Sequence, residues 1–371
     1  MAATESAPAV VDVRSHEGEW LARGLFHPSA DLAVRLMTWT HDEPLDDRLV
    51  ATRIERAVAL RGQMLDPLDR PPETTAHRLV FAESDGLPGL IVDRYGPAVV
   101  VRVGAVAMTP FLPRICHELR ALPGVQRLHV EADEDEVKRE GLDADALRAL
   151  SDSDEGPVEI RESGLVYEVR PGASQKTGFY LDQRENRRLV AAWAAGRRVL
   201  SVYCFSGAFE VAAARGGAAE ILGLDSSAPA LEQARRHHEL NATRIPVEYR
   251  KGDAPALLRK LRDEGRSFDL VILDPPRFVF NRAQKARGLR AYKDINLLAM
   301  KLLKPGGILA SFSCSGLVHL EDLLETLRWS AVDAQRSVRV QKLCGQPADH
   351  AHLTTFPESA YLKGVIARVD E

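Results

Sequence analysis

An α/β fold with a doubly wound parallel sheet is predicted for the C-terminal half of this sequence, and three observations predict it. From Arg197 onward, short apolar runs alternate strictly with segments of helical spacing. Such alternation gives a parallel sheet with helices on both faces. The apolar runs end in small or acidic residues, at Cys204-Phe205-Ser206-Gly207, Asp225, Asp253 and Asp274-Pro275-Pro276. Ligands of such sheets sit outside the carboxyl ends of the strands, so these residues are candidate pocket lining. Finally, 371 residues with 45% apolar and 27% charged side chains exceed one ordinary core, and the N-terminal portion has a different pattern.

The elements follow in order. Apolar and polar positions alternate over residues 11–40 around Gly18 and Gly24, predicting strands at Val11–Arg14, Glu19–Leu25 and Leu32–Thr38. Leu49, Ile54 and Val58 mark a helix over Arg48–Arg61, and three prolines make Asp66–Thr75 a loop. A second α/β unit has strands Arg78–Ala82, Gly89–Asp93 and Ala98–Val103, a helix Pro110–Leu122 and a strand Arg127–Glu131. Glu131–Ser163 holds 13 acidic and 4 basic residues and reads as a solvated connection, ending in a strand pair at Val158–Glu162 and Leu165–Val169. Strands are then expected at Val199–Val202, Glu220–Leu224, Val247–Arg250, Phe268–Leu273, Ile308–Phe312, Arg336–Leu343 and Tyr361–Ala367. Helices are expected at Gly207–Arg215, Ala228–Leu240, Ala254–Glu264, Gln284–Leu303 and Leu320–Ala331. The expected domains are a short β-rich segment over 1–48, a small α/β domain with the acidic connection over 49–170, and the doubly wound domain over 171–371.

Composition excludes several classes. No stretch has the pattern of a secretory signal or the length of a membrane span, so a cytoplasmic protein without membrane association is expected. Cys116, Cys204, Cys314 and Cys344 lie far apart with no Cys-x-x-Cys pair, which argues against structural zinc and fits free thiols in a reducing compartment. Net charge is −4, but Arg277, Arg282, Lys285, Arg287, Arg290 and Lys293 form a basic segment with no acid in it. That segment directly follows Asp274-Pro275-Pro276, where it suits the phosphates of a polymeric substrate.

The strand-end residues indicate a nucleoside ligand without a diphosphate. The first turn, Tyr203 to Phe209, has one glycine where a dinucleotide fingerprint needs three. Asp225, 18 residues past Gly207, is placed to accept from ribose hydroxyls, and Asp253 from an adenine amine. The competing reading is that both aspartates cap the helices after them. S-adenosylmethionine (SAM) is the common cofactor of this kind, so residues 171–371 read as a Rossmann-like, seven-stranded class I methyltransferase domain. Asp274, stiffened by two prolines, is expected at the pocket floor. Cys314, at the end of the fifth strand, then suggests a nucleophile adding to C6 of a pyrimidine to make C5 methyl-accepting. The competing reading is a buried structural cysteine. Cys204 is expected to pack, and Cys116 and Cys344 to be structural.

These residues resemble a known family, the cytosine-5 methyltransferases of bacterial large-subunit (23S) ribosomal RNA, in which a PUA domain and a central α/β domain precede the catalytic domain. The matching segments include Leu79–Tyr95, Arg139-Glu140-Gly141-Leu142, Gln175–Arg187, Asp274-Pro275-Pro276-Arg277-Phe278, Tyr292–Asn296, Phe312–Ser315, Asp349-His350 and Tyr361-Leu362-Lys363. A sister family acting on guanine carries a similar Lys-Thr-Gly-Phe segment without the thiol, so Cys314 discriminates. The resemblance implies that Cys314 attacks C6 of a flipped cytosine while Asp274 steadies its N3/N4 edge. It also implies that Gln183, Ser206, Gly207, Asp225, Ser226, Asp253 and Asp274 line the SAM pocket, and that the six basic residues contact RNA. The sequence departs from the family at Ser206-Gly207-Ala208, at Arg277 where many such enzymes carry a second cysteine, and in a shortened PUA-like segment.

Three hypotheses follow. The first is RNA cytosine-5 methylation, on 23S rRNA or a large-subunit assembly intermediate, by an enzyme that could also be a homodimer. The second is N-methylation of another rRNA base, or N- or O-methylation of a small molecule, which would survive loss of Cys314. The third is a non-catalytic RNA-binding assembly factor. Cys314, Asp274 and the basic segment converge on one pocket and favour the first.

Overall fold

The computed structural model describes residues 8–154, 156–172 and 176–371. Gln175, the first residue of one matching segment, lies outside them. The strands are β1 (Ala9–Arg14), β2 (Trp20–Phe26), β3 (Val34–Thr38), β4 (Ala76–Phe81), β5 (Leu90–Tyr95), β6 (Ala98–Val103), β7 (Arg127–Glu131), β8 (Val158–Glu162), β9 (Leu165–Val169), β10 (Arg198–Val202), β11 (Glu220–Asp225), β12 (Val247–Lys251), β13 (Phe268–Leu273), β14 (Leu303–Ser313), β15 (Ser337–Gly345) and β16 (Lys363–Asp370). The α-helices are α1 (Asp47–Met64), α2 (Leu112–Arg120), α3 (Glu134–Glu140), α4 (Ala144–Arg148), α5 (Arg184–Ala192), α6 (Ala208–Arg215), α7 (Ala228–Leu240), α8 (Ala254–Asp263), α9 (Lys285–Leu302) and α10 (Leu320–Ala334).

The chain divides into two compact units, residues 1–181 with 348–357, and residues 182–347 with 358–371. In the first, β1–β3 form an antiparallel sheet, β4–β7 a four-stranded mixed sheet, and β8–β9 a hairpin. The division expected after residue 48 falls inside a shared core. Leu25 and Met37 of β2 and β3 belong to the same apolar cluster as Val50 and Ile54 of α1 and as Val92 and Val101 of β5 and β6. Residues 348–357 join this unit because Asp349 accepts from the Arg78 backbone N–H at 2.9 Å and its carbonyl from Arg61 at 3.1 Å.

The acidic connection is not merely solvated chain. Asp133 and Glu136 form a reciprocal capping box at the start of α3, and Asp143 caps α4 at 2.9–3.0 Å. Acids at helix N-termini satisfy orphan N–H groups and oppose the helix dipole, so much of the negative charge is structural.

The second unit is a seven-stranded sheet of order β12-β11-β10-β13-β14-β16-β15. All pairs are parallel except β14–β16 and β15–β16. Strand residues alternate between two apolar layers. Leu200, Val271 and Leu309 face one, and Val199, Ile272 and Ala310 the other, as a sheet covered on both faces requires. The order reverses between β10 and β13, which opens the carboxyl ends of these strands to a ligand. Among the described residues no helix is long and apolar enough to cross a membrane.

Candidate functional site

The turn after β10 is held in an unusual shape. Tyr203, Phe205 and Gly207 have φ of 63°, 46° and 77°, so left-handed residues alternate through it. Non-glycine residues enter that region at a cost and stay there only when their surroundings fix them. Asp225, at the end of β11, supplies the fixing: its two carboxylate oxygens accept from the Phe205 and Ser227 N–H groups, both at 2.9 Å. The His237 ring nitrogen donates to the Ser206 carbonyl at 2.8 Å, which sets the tautomer. Gly207 is required twice over, because a Cβ there would lie 2.7 Å from Ala234 Cβ and from Tyr249 Oη. Ser226 is exposed. Ser227, rather than Asp225, caps α7, while Asp253 does cap α8, accepting from Ala256 at 3.1 Å. The capping reading is therefore correct for Asp253 as far as one oxygen goes, leaving its other oxygen on an exposed rim.

Asp274 follows β13. Its Oδ1 accepts from Gln183 Nε2 at 2.8 Å, Gln183 Oε1 accepts from Asn186 Nδ2 at 2.6 Å, and the Asn186 amide also donates to the Gly345 carbonyl at 3.0 Å. A buried amide relay thus aims the carboxylate. Gln183 therefore meets Asp274 directly, whereas Asp253 and Ser226 stand on the rim.

Cys314 follows β14, half-buried, with its Sγ–H directed at the Pro275 carbonyl at 3.9 Å. The thiol thus faces the Asp-Pro-Pro turn and not the apolar layer. The other thiols behave differently. Cys116 and Cys204 are buried, with Cys204 pushed well up by burial and then by Glu210, and burial lifts Cys344 to about 11. The Cys314 turn is braced by Tyr292, whose hydroxyl meets Ser313 Oγ at 2.8 Å and Ser315 Oγ at 3.2 Å. Burial raises the Tyr292 hydroxyl, and the charges of Cys314 and Asp274 add to the rise.

The basic segment splits in two. Lys285 pairs with Asp322 at 2.7 Å and Lys293 with Asp333 at 2.6 Å. Arg277, Arg282, Arg287 and Arg290 are exposed, and among the described residues none of the four is in an ion pair.

A turn with one cradle-forming glycine, strand-end carboxylates with spare lone pairs, and no triple-glycine loop for a diphosphate fit a nucleoside sulfonium. The sheet that carries these residues has the class I methyltransferase fold. Comparison with known proteins agrees. Residues 139–348 match the S-adenosylmethionine-dependent methyltransferase family. The chain is 39% identical to "Ribosomal RNA large subunit methyltransferase I" of Shewanella denitrificans over 97% of its own length and 90% of that protein's. It is 38% identical to the protein of the same name from Erwinia tasmaniensis, with the same coverage. The crystal structure of SMU.776 complexed with SAH superposes with a TM-score of 0.83 at 20% identity, covering 97% of this chain and 91% of that one. The chain belongs to the SAM-dependent methyltransferases, in the family named ribosomal RNA large subunit methyltransferase I, and its cofactor is SAM.

One buried group escaped the sequence reading. Glu210 on α6 is fully buried, without a hydrogen-bonding partner at normal distance among the described residues, and burial raises its carboxyl to about 7 despite the Ser201 hydroxyl beside it. The signal was available as a single acid in the small, apolar run Ala208–Ala214.

Proposed function

We propose that this enzyme methylates C5 of a cytosine in large-subunit (23S) ribosomal RNA, free or in an assembly intermediate, in the cytoplasm. The observation that carries the reading is the half-buried Cys314 thiol directed at the Pro275 carbonyl of the Asp274 turn. The relatives' name supports the substrate class. The Cys314 thiolate adds to C6 of a flipped base, forming an S–C6 bond while the C5–C6 π pair becomes available at C5. Asp274, oriented by Gln183, accepts from the exocyclic amine as the ring takes up charge. Bound SAM supplies an electrophilic methyl group for C5 and departs as a neutral thioether. Loss of the C5 proton returns its bonding pair to the C5–C6 bond, which expels Cys314 as thiolate and restores the ring.

Gln183, Ser206, Gly207, Asp225, Ser226, Asp253 and Asp274 are assigned to the cofactor pocket in this reading. Arg277, Arg282, Arg287 and Arg290, with Lys285 and Lys293 behind them, are assigned to RNA phosphates. Residues 1–48 are read as a PUA-like segment that shares its core with a central domain over 49–170, and 171–371 as the catalytic domain. The test uses 5-fluorocytosine-substituted large-subunit rRNA and labelled SAM. Fluorine at C5 cannot leave as a proton, so a covalent adduct should accumulate on the Cys314 peptide and vanish in Cys314→Ser. Label on a ring or amine nitrogen, with no adduct, would overturn the assignment.

A further inference from the structure

Opposite Tyr292, the Cys314 turn is gripped by a charge. Lys363 stands across from Ser313 in the β14–β16 register. Its Nζ donates to the Ser315 carbonyl at 2.9 Å and to the Tyr361 carbonyl at 2.6 Å. Lys363 is only 8% exposed, and lysines are almost never this buried without a partner. Two carbonyl oxygens satisfy donors but do not neutralise an ammonium. Among the described residues no carboxylate reaches Lys363 at ion-pair distance, and Asp322, whose charge it feels, is held by Lys285 at 2.7 Å. An ammonium hydrogen-bonded to the residue after Cys314, with no carboxylate at ion-pair distance among the described residues, needs a counter-charge.

We propose that the counter-charge is Cys314, so that Lys363 is a positioning residue holding this cysteine as a thiolate before any substrate arrives. The inference rests on Cys314 being the nucleophile. Among the described residues, the charge of Cys314 acts on Tyr292 of α9 and on Lys363 of β16; Asp274 after β13 also acts on Tyr292, and Asp322 of α10, paired with Lys285, also acts on Lys363. A nearby carboxylate opposes thiolate formation, and a nearby ammonium offsets it. Burial brings the Lys363 ammonium down to about 8, and the charges of Cys314 and Asp322 keep it from falling further. The pair also explains why a lysine, rather than a neutral donor, bridges two carbonyls at a buried strand end. Pairing of a thiol with a nearby cation is a general route to a reactive cysteine.

The test is iodoacetamide alkylation of the full-length protein across pH 6 to 10, with the Cys314 peptide followed by mass spectrometry. The expected wild-type midpoint lies below the ordinary thiol value of about 8.5. Lys363→Met should raise it by roughly one to three pH units, the range for removing a close opposite charge. Lys363→Arg should restore most of the shift. Methyl transfer by Lys363→Met should fall at least tenfold at pH 7 and recover as pH rises. A merely structural lysine would lower activity equally at every pH. An unshifted midpoint in a Lys363→Met protein that still binds SAM would overturn the proposal. Should that variant not fold, a wild-type midpoint at or above about 8.5 overturns it independently. The 5-fluorocytosine adduct is scored in parallel. A midpoint shift without adduct removes the cytosine reading and keeps the ion pair, whereas an adduct without a shift removes only the pair.

Discussion

Gln183 touches Asp274 through one hydrogen bond, and the chemistry of that bond is one-sided: the amide donates at 2.8 Å and the carboxylate accepts. Gln183→Ala removes a charge-assisted bond contributing about 1.5–3 kcal/mol, so methyl transfer at saturating SAM should fall roughly ten- to a hundredfold. Gln183→Glu keeps the shape but sets a second anion against Asp274, and it should be the worse variant at pH 8. Single-turnover rates for the pair test this, and equal losses would dismiss the electrostatic account. Glu210 makes the opposite kind of point. Its carboxyl is raised to about 7 by burial, so the folded state holds a proton that the unfolded chain has already released above about 4.3. Its stabilising contribution is complete below the unfolded value and is lost as pH rises through the folded one. Glu210→Gln should therefore be more stable than wild type at pH 8, by up to about 3 kcal/mol of unfolding free energy, and the gap should shrink towards pH 5. A gap independent of pH in calorimetry would mean that the carboxyl is not the titrating group.

Strand ends and helix starts decide what the elements can do. The β10–α6 turn takes its shape from Asp225 on β11, so neighbouring strands build the pocket jointly. Gly207→Ala would place a Cβ at positive φ and 2.7 Å from Ala234 Cβ, costing at least about 1–2 kcal/mol from backbone handedness alone. SAM affinity by calorimetry should drop tenfold or more while the sheet stays folded, and an unchanged Kd would remove this turn from the pocket. The catalytic unit was legible at this scale because buried parallel strands write continuous apolar runs, as in residues 270–273 of β13, and their terminators mark the pocket. What stayed illegible depends on partners distant in sequence. Asp349 sits in the first unit because it accepts from Arg78, 271 residues away. The acidic run hid two short helices because charge density was a poorer guide than the capping position of Asp133 and Asp143. Cys314 and Asp274 could be singled out by strand-end position, but the relay through Gln183 and Asn186 and the grip of Lys363 could not, since neither leaves a periodic trace.

The whole molecule carries a net charge of −4, so any affinity for a polyanion must come from local concentration of positive charge. The Arg277–Lys293 segment is where that concentration lies, and its internal pairing sorts the contributions. Lys285 and Lys293 are already engaged by Asp322 and Asp333, so each charge is half spent before RNA arrives. Arg282, Arg287 and Arg290, exposed and in no ion pair among the described residues, can displace counterions. For single-stranded RNA each phosphate contact contributes about 0.7 to the slope of log affinity against log salt. Replacing these three arginines by alanine should lower that slope by about 2, weaken binding similarly for cytosine-containing and cytosine-free RNAs, and leave the melting temperature nearly unchanged. Replacing Lys285 and Lys293 by methionine should change the slope by less than about 1 and lower the melting temperature, because each change strands a carboxylate beside α9 or α10. Fluorescence anisotropy from 50 to 300 mM salt separates the outcomes. A full-sized slope in the triple arginine variant would mean that RNA is gripped elsewhere on the chain, despite the position of this segment directly after the Asp274 turn.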